Sequence, residues 1–113
     1  MKNTRPSVRL SLAGDRASEL ADVFRLLGDP SRLRIVIACL SNRVSVTKLA
    51  DELGLSISLV SHHLRLLRAA RIVRSQRLGK HVFYRAADEH IRRVITDMLE
   101  HVAEPDDQEE ERS

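Results

Sequence analysis

The chain has 113 residues, 42% of them hydrophobic, enough for one domain with a core. No run of about 18 apolar residues occurs, and the stretch Met1 to Leu12 is basic without an apolar signal core, so the sequence points to a cytoplasmic protein rather than a membrane-inserted or secreted one. The formal charge of +3 hides a division: the tail from Glu104 carries Glu104, Asp106, Asp107, Glu109, Glu110 and Glu111 against Arg112 alone, leaving +8 on residues 1–103. A basic body favours a polyanionic partner such as double-stranded DNA.

Residues 1–17 show no sustained period and read as a flexible arm, residues 18–104 as the folded domain, and residues 105–113 as an acidic, disordered tail. A first helix is expected from Ser18 to Leu27, with Leu20, Val23, Phe24 and Leu27 at helical spacing and Gly28 as its stop. Asp29-Pro30-Ser31 opens a second helix whose apolar residues Leu33, Ile35, Val36, Ile37 and Leu40 nearly encircle it, so it should be central. Cys39, the single cysteine, lies in that apolar run; an intramolecular disulfide is ruled out and the residue reads as core filler.

A third helix begins near Ser45 or Val46 and stops at Gly54, and Ser56 can cap a fourth that runs to about Ala69. Helix, glycine turn and helix at this spacing form a helix-turn-helix. Ile72–Arg77 and His81–Arg85, separated by Leu78-Gly79-Lys80, read as a basic β-hairpin, the wing. A last helix runs from Asp88 to about Ala103, ahead of Pro105. The fold class is therefore mainly α with a hairpin wing, a winged helix-turn-helix.

On the fourth helix, Ile57, Val60, Leu64 and Leu67 share one side with Leu59, His63 and Leu66 beside them, and His63 reads as a packed histidine. Ser58, Ser61, His62, Arg65 and Arg68 occupy the opposite arc, which carries no acid. That arc suits a major groove, where Arg can fork onto guanine and Ser can reach phosphate or base edges. With Ser56 at the helix start and the wing residues Arg74, Arg77, Lys80 and His81, it makes the expected DNA surface. A solvated surface is the plain alternative, but such surfaces usually mix signs.

On the last helix, Ile91, Val94, Ile95, Met98, Leu99 and Val102 form an apolar stripe suited to pairing with a second copy. Asp88, His90, His101 and Glu104 lie along its edge, nitrogen and oxygen donors of the kinds that hold zinc. His90 and His101 are 11 residues apart, about 16 Å along a helix, so one chain cannot chelate one ion with both. Antiparallel pairing of two such helices would bring Asp88 and His90 of one protomer to His101 and Glu104 of the other. The structural alternative is that Asp88 merely caps the helix and the others are exposed polar residues.

The stretches Leu26–Ile35, Val60–Leu67 and Gly79–Tyr84 together resemble the ArsR/SmtB metal-sensing repressors, a likeness covering about Ala17 to Glu104. The resemblance implies a homodimer in which metal on the last helix weakens operator binding, and the four donors fall on the motif of the zinc and cobalt sensors. Zinc is the first choice, with cobalt and nickel as alternatives; the helix at Val44–Leu53 has no cysteine, which disfavours thiolate sensing of arsenic, cadmium or lead. A winged-helix regulator that ignores metal is the nearest rival. A metalloenzyme is a more distant one, since four protein ligands leave no position for an activated water. No small organic substrate is expected.

Overall fold

The structure is a computed structural model that describes residues 4–106, and the side chains of residues 15–106. In chain order it comprises α1 (Thr4–Leu27), α2 (Pro30–Ala38), β1 (Val44–Ser45), α3 (Val46–Leu53), α4 (Ile57–Ala69), β2 (Val73–Leu78), β3 (His81–Ala86) and α5 (Glu89–Ala103). The strands form an antiparallel sheet in the order β1-β3-β2, and helices and sheet together make a winged helix.

Two differences from the sequence reading stand out. Helical backbone begins at Thr4 rather than Ser18, so the arm expected over residues 1–17 is helical from Thr4 onward. Pro6 falls in its first turn and Arg9, Leu10, Leu12 and Ala13 are good helix formers, so propensity rather than an apolar stripe carries this stretch. The second difference is β1, two residues long and too short to show a period; it pairs Val44 with Tyr84 and Ser45 with Phe83. Asp107–Ser113, most of the expected acidic tail, lie outside the described residues.

The helix starts are set by side-chain caps. Asp29 accepts from the Arg32 N–H at 3.0 Å with Pro30 following it, Ser45 accepts from Lys48 at 3.2 Å, and Ser56 from Leu59 at 3.1 Å. Two helices end in left-handed residues. Gly54 closes α3 at φ 67°, and the Leu55 N–H returns to the Ala50 carbonyl. Arg71 follows α4 at φ 59°; its own N–H bonds the Arg68 carbonyl at 3.0 Å and the Ile72 N–H bonds that of Leu67 at 2.9 Å, a Schellman closure with arginine where glycine is usual.

Ile35 and Val36 from α2 with Cys39 at its end, Leu49 from α3, Val60, Leu64 and Leu67 from α4, and Ile72 and Val73 are almost wholly buried together. The encircling apolar pattern of α2 thus marks the middle of the domain. Cys39 lies in that interior, where burial pushes its thiol up to about 12, so it stays protonated and is no thiolate ligand at neutral pH. Arg92 Nε donates to the Leu40 carbonyl at 2.8 Å and Arg32 Nε to that of Leu26 at 2.8 Å, tying the outer helices to α2.

Candidate nucleic-acid interface and metal ligands

In α4 the helical period separates an inner from an outer face. Val60, His63, Leu64 and Leu67 are buried, whereas Ser58, His62, Arg65 and Arg68 are exposed and Ser61 is half-buried. Ser56 spends its hydroxyl oxygen on the cap, which leaves its O–H as a donor. His63 is 7% exposed, as expected of a packed histidine; burial lowers its pKa, partly opposed by Asp29, so the ring is neutral at neutral pH. Among the described residues its Nδ1 has no hydrogen-bond partner.

One assignment on this helix is corrected. Ile57, placed by its phase on the packed side, is 54% exposed, and its neighbour Leu59 is 40% exposed. The first turn of α4 stands past the edge of the core, so phase alone does not bury it. Apolar side chains there suit contact with thymine methyl groups, and exposure rather than spacing is the signal that finds them.

Arg74, Arg77, Lys80 and His81 are all exposed on the hairpin. Gly79, the first of its two turn residues, has φ 63°, as a type II′ turn requires at that position. The pleat divides the wing cations. Arg74 pairs with Arg85, Gln76 with Phe83 and Leu78 with His81, so these share one face, while Arg77 pairs with Val82 on the face that carries buried Val73 and Ala86. Arg74 and His81 therefore lie on one side of the hairpin and Arg77 on the other, with Lys80 in the turn between the strands.

On α5, Ile95 is buried and Ile91 packs against the core, while Val94, Met98, Leu99 and Val102 are 47%, 53%, 41% and 77% exposed. Leu20 and Phe24 of α1 are likewise 54% and 56% exposed. At the head of α5, Asp88 Oδ1 accepts from the Ile91 N–H at 3.0 Å and lies 3.7 Å from His90 Nδ1. At its tail His101 and Glu104 are exposed within one turn, and the Glu104 N–H bonds the His101 carbonyl at 3.2 Å. Each end thus assembles two donors, and among the described residues no three come together in one chain.

The model of the bacterial regulatory proteins of the arsR family matches residues 29–75. A transcriptional repressor SmtB homolog from Synechocystis is 39% identical over 92 residues, 81% of this chain and 70% of the relative. The solution structure of the cadmium metal-sensor CMTR from Mycobacterium tuberculosis is 37% identical with a TM-score of 0.63, covering 76% of this chain and 90% of that one. A homodimeric winged helix-turn-helix DNA-binding domain from Mycobacterium bovis superposes with a TM-score of 0.74 at 24% identity, covering 81% and 84%; at that identity the likeness is one of fold. No helix among the described residues is long and apolar enough to cross a membrane. With the family model on the helix-turn-helix and a relative of this identity over most of both chains, the protein belongs to the ArsR family of DNA-binding transcription regulators and is not an enzyme.

Proposed function

We propose that the protein is a metal-responsive repressor: a homodimer joined through its terminal helices binds operator DNA without metal and leaves it on taking up zinc, or cobalt or nickel in its place. The observation that carries this reading is the division of four donors between the two ends of α5, with exposed Val94, Met98, Leu99 and Val102 between them. A second copy laid antiparallel would cover the stripe and bring each pair of donors to its complement. The M. bovis domain of like fold is described as homodimeric, and the SmtB homolog as a repressor.

The donor set fits such an ion. Asp88, His90, His101 and Glu104 are exposed imidazoles and carboxylates, and only one oxygen of Asp88 is used by its cap. When bound, the metal supplies a cross-link between the head of one α5 and the tail of the other. The chain's own residues do the rest. Ser56, Ser58, Ser61, His62, Arg65 and Arg68 face the major groove, with Ile57 and Leu59 at the entering end. Arg74, Arg77, Lys80 and His81 hold phosphates beside it.

None of the four donors is on α4, although Asp88 and His90 line one cleft with Arg68 and Arg74; the coupling then acts through the disposition of the two protomers, and a typical coupling is about 1–3 kcal/mol. The sign follows the family: repression without metal, release with it. The test is operator affinity measured with and without zinc. Zinc should weaken binding in the native protein and have no effect in His101→Ala, whose metal-free affinity stays native. Tighter DNA binding in zinc would make it a corepressor instead, and no change would leave a regulator indifferent to metal. Arg65→Ala should lose about 1–3 kcal/mol of operator discrimination while remaining folded and dimeric.

A further inference from the structure

Away from the outer face of α4, a cavity of about 410 Å³ opens where the loop after α2 meets β3 and the first turn of α5; Ser41, Asn42, Arg43, Arg85 and Arg92 are among the residues that line it. Arg85 stands opposite Arg74 across the sheet, and continuing the β1–β3 register by one residue sets Arg43 opposite Arg85 on its other side. Like charges directly opposite one another on a sheet are destabilising. None of the ion pairs among the described residues reaches Arg43, Arg74 or Arg85.

Two of the guanidiniums are held in place. Arg92 is fixed by its bond to the Leu40 carbonyl and by Glu89 Oε1 at 2.7 Å from Nη1, which leaves Nη2 free. The Arg43 guanidinium lies over the Phe83 ring, 5.5 Å from its centroid. The backbone N–H groups of Ser41 and Asn42 have no partner within the described chain. Three guanidiniums, one balancing acid and two free N–H donors around a small concavity form an arrangement that an oxyanion completes, since arginine forks match phosphate oxygens.

We propose that this cavity is a phosphate-binding site formed by Arg43, Arg85 and Arg92 with the Ser41–Asn42 backbone. The phosphate comes either from free inorganic or metabolite phosphate or from operator backbone beyond the half-site that α4 reads. The first arm titrates the full-length protein with inorganic phosphate at constant ionic strength and follows the arginine Nε–H and backbone amide NMR signals. Arg43, Arg85, Arg92, Ser41 and Asn42 should shift together and saturate, and Arg85→Gln, which breaks no contact described above, should weaken the response at least about fivefold.

Equal, unsaturating shifts at the wing-tip cations Arg77 and Lys80 would overturn the site, as would an unchanged response in both Arg85→Gln and Arg43→Gln. The second arm measures the affinity of native and Arg85→Gln protein for operator duplexes of increasing length. A gain with length that the variant loses assigns the phosphate to DNA; equal affinities at every length, with saturable phosphate binding retained, assign it to free phosphate.

Discussion

Apart from Ile57 and Leu59 in the first turn of α4, the helices α2, α3 and α4 close their apolar faces within one chain, whereas α1 and α5 do not. Ile35, Leu49, Val60, Leu64 and Leu67 are at most 1% exposed, while Leu20, Phe24, Val94, Met98, Leu99 and Val102 keep 41–77% of their surface in water. The first group holds α4, the proposed DNA-reading helix, in a fixed place within one chain. The second group is an unfinished surface, and the candidate metal donors sit at its two ends. The contrast teaches where the proposed regulation would enter: α4 is held by its own core, whereas the spacing of two copies of it is set by the open surface.

Perturbing the closed half should have the largest effect. Leu64→Ala removes buried side chain from the centre of the core and should cost about 2–5 kcal/mol in denaturant unfolding, by an amount independent of protein concentration. A loss under about 1 kcal/mol would mean α4 is held less by the core than its burial says. In the open half, Met98→Glu should leave the fold intact and raise the dimer dissociation constant at least about tenfold, read by sedimentation. Its apparent stability should then depend on concentration; an unchanged dimer would move the interface off α5. The smallest expected effect lies between the halves, at the turn from α4 into β2. Arg71→Gly removes a left-handed side chain whose contact with Glu19 is a 4.0 Å pair between exposed groups, and should stabilise the protein by under about 1 kcal/mol. Destabilisation would show that this arginine is held for packing.

The legible parts of the fold were those with a period or a cap. Ser56 and Asp88, the residues that read as caps in the sequence, each accept the hydrogen bond that position calls for, and Gly54 and Gly79 have the positive φ their turns need. Illegible were features settled by tertiary context. The Val44–Ser45 strand exists only because β3 pairs with it, and Ile57 has a core residue's phase at a place where the core has ended. For the candidate site, types and spacing of the four donors were readable and so was their separation along the helix. The division of Arg74 from Arg77 follows from their odd spacing along one strand, whereas the cluster of Arg43 with Arg85 and Arg92 was unreadable, because Arg43 is distant in sequence from the other two and joins them only where the loop after α2 folds against β3.

The central claim is that each metal site takes its head from one protomer and its tail from the other, and mixed dimers test it most directly. A chain carrying Asp88→Ala and His90→Ala has only tails, and one carrying His101→Ala and Glu104→Ala has only heads. Neither variant alone should bind zinc tightly. Their heterodimer, purified with two different tags, should regain one site of native affinity, half the stoichiometry of the native dimer. A heterodimer that binds no zinc, or either variant homodimer binding zinc as the native protein does, would contradict the bridging arrangement and with it the proposed route from metal to DNA.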